Sequence, residues 1–179
     1  ALGGSASTAA LGPSSVVPFQ VGMSATEPPP TVNVIVRDPS LRFYNSTALT
    51  RSVSPEGIQK DVDLNPSGLR LKVPDARAML INEFGYKQAP SANSNAMWLR
   101  AGAMYNTSHY TEFTTGEKSD NNYGVYLAET VQVTKPYGDA RGWYLDSKLD
   151  YSPDSVNAIN KASVSYTHLR AHETCAARV

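Results

Sequence analysis

The sequence predicts an all-β chain folded as an antiparallel sheet. Several stretches alternate apolar and polar residues with a period of two, the pattern of a strand whose two faces meet different surroundings. Clusters containing proline and glycine separate these stretches as turns. No stretch carries a helical apolar stripe longer than two turns, and the 179 residues contain no apolar run of the roughly 18 residues a membrane helix needs.

Residues 1–31 are rich in Ala, Gly, Ser and Pro and include Pro28-Pro29-Pro30. Consecutive prolines enter neither a helix interior nor a central strand, so this segment is expected to be an irregular loop. Residues 32–36 are a short β-branched strand. Residues 41–52 alternate, with Leu41, Phe43, Asn45, Thr47 and Leu49 opposite Arg42, Tyr44, Ser46, Ala48 and Thr50. Ser54-Pro55-Glu56-Gly57 and Asn65-Pro66-Ser67-Gly68 read as turns. Residues 75–80 come nearest to a helical stripe and are read as the lead-in to a strand over 78–88.

A polar turn at 89–95 leads into a strand over 97–107, and a long polar loop covers 114–122. The next strand, 123–134, sets Tyr123, Val125, Leu127, Val131 and Val133 against Gly124, Tyr126, Ala128, Thr130 and Gln132. Lys135-Pro136-Tyr137-Gly138-Asp139 turns the chain into a strand over 143–151, Ser152-Pro153-Asp154 closes it, and 156–160 begins another. The four long strands exceed the usual five or six residues of a soluble sheet. They suit a tilted membrane-spanning strand of about nine to eleven residues.

Composition leaves the setting open. The chain is 41% hydrophobic and 18% charged, with Lys+Arg 16 against Asp+Glu 16. Zero net charge offers no basis for a nucleic-acid partner, which requires clustered positive charge. A mean hydropathy of −0.34 fits a soluble β-rich domain. It also fits a membrane barrel, whose strands alternate lipid-facing apolar residues with polar ones.

The tail asks for separate treatment. Val164-Ser165-Tyr166-Thr167-His168-Leu169-Arg170-Ala171-His172-Glu173-Thr174 resembles the translation of a transposon-type sequencing adaptor. Residues 163–179 are therefore set aside from fold reasoning as an artefactual tail. They contain the single cysteine, Cys175, and two of the three histidines, His168 and His172, leaving His109. A Cys/His nucleophile pair or zinc site disappears with them.

Tyr123-Gly124-Val125-Tyr126-Leu127-Ala128-Glu129 resembles a strand of the carbohydrate-selective outer-membrane porins, the OprB family. Trp98-Leu99-Arg100-Ala101-Gly102-Ala103-Met104-Tyr105 is similar to the strand that precedes it there. Ile81-Asn82-Glu83-Phe84-Gly85-Tyr86 is similar to the family's Glu-x-Gly-Tyr strand, and Arg141-Gly142-Trp143-Tyr144-Leu145 with Tyr151-Ser152-Pro153-Asp154 to a later strand and turn. The likeness runs from Pro18 to Lys161. It departs where the family has an Asp-Gln pair and this chain reads Ala128-Glu129-Thr130. Glu129 also falls on an apolar face, so it is expected near a rim, on a bulge, or in a strand whose faces are reversed.

The resemblance implies that residues 32–162 are part of an antiparallel transmembrane β-barrel, open because the family adds further strands. It implies passive diffusion of sugars through a water-filled lumen in the outer membrane of a Gram-negative bacterium. Sugars are then the permeants, outer-membrane lipid the surroundings, and a homo-oligomer of the full-length protein remains open. No catalysis, catalytic residue, cofactor or metal is expected. Alternation within the strands nominates Glu83, Lys87, Trp98, Arg100, Tyr126, Gln132, Asp146 and Lys148 as pore-lining. Glu83 and Arg100, on adjacent strands, are placed to pair. Two other readings stand beside this one. A soluble β-sandwich of structural or surface type would bury its apolar faces against each other. An enzyme using Glu83, Asp146 and Asp150 as a glycosidase pair has nothing to set their spacing.

Overall fold

The structure, a computed structural model, describes residues 21–22, 29–134, 142–157 and 162–172. Its strands are β1 (Thr31–Arg37), β2 (Phe43–Arg51), β3 (Ala78–Gln88), β4 (Met97–Asn106), β5 (Tyr110–Thr111), β6 (Lys118–Ser119), β7 (Asn122–Gln132), β8 (Gly142–Tyr151) and β9 (Ala162–His172), with one short helix, α1 (Ile58–Leu64). One seven-stranded sheet runs β1-β2-β3-β4-β7-β8-β9 and every pair in it is antiparallel. β5 and β6 form a separate hairpin. The described residues are therefore all-β apart from α1. The edges β1 and β9 are not joined to each other, so the described sheet is open. Among the described residues no helix is long and apolar enough to cross a membrane.

The alternating stretches become strands because their period matches the pleat, and β3 begins and ends at the residues the alternation marks. Three elements between β2 and β7 were not expected. Residues 58–64, between the two turn motifs, form α1, whose buried side chain is the polar Asp61, so no apolar stripe announces it. The polar loop before β7 holds β6, paired with β5 through Tyr110↔Ser119. Residues 156–157 lie outside any strand. Residues 158–160, the turn at 135–139 and most of the loop expected over 1–31 fall outside the described residues.

β9 covers most of the adaptor-like string and pairs along β8 from Tyr151↔Ala162 to Gly142↔His172, with a register shift between Tyr144 and Asp146. A sheet edge offers a row of backbone donors and acceptors that pairs with an extended segment of almost any sequence.

Connections differ at the two ends of the sheet. Residues 38–42, 89–96 and 133–141 link strands at one end. The longer segments 52–77 and 107–121, and residues 152–161, link them at the other. Residues 52–77 are pinned by an ion pair in which both side chains are buried. Arg51 Nη1 donates to Asp61 Oδ2 at 2.7 Å and Nη2 to Oδ1 at 2.9 Å, while the Ser54 amide donates to Oδ2 at 2.8 Å. Burial pushes the Asp61 carboxyl up. The bonds from Arg51 and Ser54 and the Arg51 charge outweigh this and hold it below the ordinary 3.8.

The two faces of the sheet are inverted relative to a soluble protein. Register puts Leu49, Leu80, Phe84, Leu99, Val125, Leu127 and Leu149 on one face, all exposed. The opposite face holds Ser46, Glu83, Arg100, Asn106, Asn122, Gln132, Lys148 and Asp150, all buried. Its apolar part is a small cluster of Ala48, Met79, Ile81 and Met104 near the long-loop end, covered by Val21. Neither the β5–β6 hairpin nor a second large sheet packs on the exposed apolar face among the described residues.

Candidate functional site

The polar face is ordered in rows across the sheet. Lys87, Trp98, Thr130 and Asp146 are register partners in one row. The next holds Tyr44, Gly85, Arg100, Ala128 and Lys148, and the one after it Ser46, Glu83, Gly102, Tyr126 and Asp150. The pore-lining candidates Glu83, Lys87, Trp98, Arg100, Tyr126, Asp146 and Lys148 thus share one band of one face. Gln132 shares the face but sits at the short-turn end, where its Oε1 accepts from the Ala96 amide at 2.9 Å and its carbonyl accepts from Asn95 Nδ2 at 2.7 Å. It is fully buried there and braces the turn at 89–96.

Glycine sets the centre of the band. Tyr44 stands directly opposite Gly85 and Tyr126 opposite Gly102. Each ring lies over the glycine of the neighbouring strand, so closely that a Cβ on Gly85 would come 2.2 Å from the Tyr44 ring and one on Gly102 would come 2.3 Å from the Tyr126 ring. Aromatic rings laid over strand glycines in this way pin the register. Both phenols then reach the Glu83 carboxylate. Tyr44 Oη donates to Oε1 at 2.7 Å and Tyr126 Oη donates to Oε2. Trp98 Nε1 donates to Tyr44 Oη at 3.0 Å, so the connected side chains come from four strands, β2, β3, β4 and β7.

Glu83 is therefore held by tyrosines from either side rather than by Arg100, the pairing suggested by the sequence. A diagonal neighbour across the sheet is within reach of a long side chain, but the phenols lie closer. The Arg100 guanidinium is centred 4.2 Å from the Trp98 ring, and Lys87 Nζ lies 5.4 Å from it. These are cation–π distances. Arg100 is 6% exposed, and among the described residues its buried Nε and Nη2 have no hydrogen-bond partner. Lys148 Nζ lies 5.5 Å from the Tyr126 ring and 3.1 Å from Asp150 Oδ2. The band thus offers aromatic faces, unspent donors and both signs of charge within a few rows.

Tyr44, Gly85 and Gly102 belong to this centre and were not among the candidates. Alternation assigns a face within a strand, but which residues lie opposite depends on register across long loops. A tyrosine and a glycine in neighbouring strands were the available signal.

Towards the long-loop end the face closes. Asn106 Nδ2 donates to Ser52 Oγ at 2.7 Å and to Tyr110 Oη at 2.8 Å, and also bonds the Val21 carbonyl at 2.5 Å. The Val53 amide donates to the Gly22 carbonyl at 2.9 Å. Gly22 has φ 105 and no room for a Cβ beside Ser52 and Asn106, so this contact requires glycine. His109, outside the sheet, has Nδ1 2.6 Å from Asp120 Oδ1. Among the described residues no group of three or more His, Cys, Asp or Glu gathers in the manner of a metal site.

Glu129 is settled by geometry. It stands on the apolar face in unbroken register, opposite Leu99 and Ser147, towards the short-turn end of β7. Ser147 Oγ donates to its Oε1 at 2.7 Å. The face assignment is correct, and no bulge is involved. No family model, curated protein or solved structure matches this chain.

Proposed function

We propose that the chain supplies part of the wall of a bacterial outer-membrane β-barrel porin through which carbohydrates diffuse passively. The observation that carries this reading is the inversion of the sheet, with its apolar face outward and exposed and its polar face inward and buried. Membrane barrels alternate in this sense because the solvent outside them is hydrocarbon. Strands of nine to eleven residues in β2, β3, β4, β7 and β8 match the tilted span of a bilayer core. Segregation of shorter and longer connections to opposite ends fits the short periplasmic turns and longer outer loops of such barrels. A β-sandwich would instead need a second sheet over Phe84, Leu99, Leu127 and Leu149.

Neutral, hydroxyl-rich solutes suit the band at Glu83, Trp98, Arg100 and Tyr126. Trp98 and Tyr126 present partly exposed rings, and Lys87, Arg100 and Glu83 set charges of both signs beside them. Pore lining and diameter set selectivity in such channels. The test is single-channel recording and liposome swelling with the barrel to which this sheet belongs. We expect Arg100→Gln to change conductance or ion preference and Trp98→Ala to change the relative permeation of sugars. Swelling that ignores sugar size and structure, in wild type and variants alike, contradicts carbohydrate selectivity.

A further inference from the structure

We infer that the outward face carries a binding site for an amine-bearing phospholipid, with Glu129 as its headgroup anchor. This rests on the membrane reading above. Two contiguous open grooves, of about 540 and 550 Å³, run along the exposed face and share Phe84, Ala101, Leu127 and Leu149. They arise because β4 presents the small Ala101 and Ala103 outward between bulkier neighbours on β3 and β7. Together they make an elongated apolar trough, the shape that accepts a hydrocarbon chain.

The trough has a polar end. Tyr86, Leu99, Glu129 and Ser147 form one row across the sheet, and Phe84, Ala101, Leu127 and Leu149 form the next row inward. Glu129 and Ser147 therefore sit towards the short turns with Phe84, Ala101, Leu127 and Leu149 deeper, as a phospholipid runs from headgroup to chain. Asn82 beyond them donates its amide to Asn45 and Thr47. Among the described residues the Glu129 carboxylate accepts from the Ser147 hydroxyl, which cannot neutralise it. A carboxylate on the lipid face is costly at mid-bilayer and cheap near the interface. A primary ammonium supplies the missing charge and three N–H donors. A quaternary ammonium of the same charge has no N–H to give, so the site discriminates between phosphatidylethanolamine and phosphatidylcholine.

The experiment reconstitutes the barrel to which this sheet belongs in bilayers containing equal amounts of these two lipids, extracts it gently, and counts retained lipid by native mass spectrometry. Far-ultraviolet circular dichroism and protease resistance monitor insertion and β content. We expect wild type to retain phosphatidylethanolamine about five-fold over phosphatidylcholine, the order given by one net hydrogen bond from the primary ammonium. Glu129→Gln should bring the ratio to about one with total retention kept, and Ala101→Phe should reduce retention of both lipids by filling the trough. Equal retention by an inserted, β-rich wild type overturns the site and leaves the membrane reading standing. Unchanged preference in Glu129→Gln overturns the anchor. A complete barrel that stays out of the bilayer overturns both.

Discussion

Glu83 is held from two sides on the polar face, and its surroundings make its role testable. It is 6% exposed, and its carboxylate accepts from phenols on both neighbouring sides. Removing one partner of a buried polar group costs about 1–3 kcal/mol. Tyr126→Phe is therefore expected to lower the urea midpoint of the lipid-embedded sheet by that order, with the slope unchanged, and no shift contradicts the bond. Gly102→Ala acts on the same centre through sterics. Its Cβ meets the Tyr126 ring, and overpacking of this kind costs about 1–3 kcal/mol. The same midpoint reads it, and wild-type stability would mean that the ring moves aside freely. Much of this site was legible in the sequence, because alternation alone places Glu83, Trp98, Arg100 and Tyr126 on their correct faces. Tyr44 and the two glycines were not legible, because their importance lies in cross-strand opposition.

At the scale of elements, the connection over 52–77 behaves as a clasp. A helix of two turns has little stability of its own, since nucleation outweighs so few bonds. α1 persists through Arg51 and Asp61, and removing one member of a buried pair costs about 3–5 kcal/mol. Asp61→Ala is expected to speed amide exchange over 52–77 while leaving β3 and β4 protected; uniform protection throughout would contradict the clasp. The pH dependence follows from the lowered carboxyl. The stabilisation is complete above the ordinary value of 3.8 and disappears as pH falls through the lower value of the folded state. Limited proteolysis of this loop should therefore stay slow through neutral and mildly acidic pH and accelerate only below that range. Acceleration near pH 6 would point to a different group. The clasp was hidden in the sequence because a cationic residue ending one strand and a carboxylate ten positions later carry no pattern. The strands were legible because their periodicity is the property that folding uses.

For the molecule as a whole, the central claim is that the exposed apolar face of the seven-stranded sheet meets hydrocarbon and the buried polar face meets water and solutes. Alternation within β3, β4, β7 and β8 revealed that two unlike faces exist. Which face is covered depends on how strands assemble, and that information is not local. The direct measurement is residue-by-residue accessibility along β7 in bilayer-embedded protein, with single cysteines from 124 to 131 in a Cys175→Ser background, each carrying an environment-sensitive label. The account predicts alternating behaviour. Labels at Val125, Leu127 and Val131 should be quenched by lipid-borne quenchers. Labels at Gly124, Ala128 and Thr130 should be quenched by aqueous iodide. Iodide quenching of both sets, with no response to lipid quenchers, would contradict it and return the sheet to water.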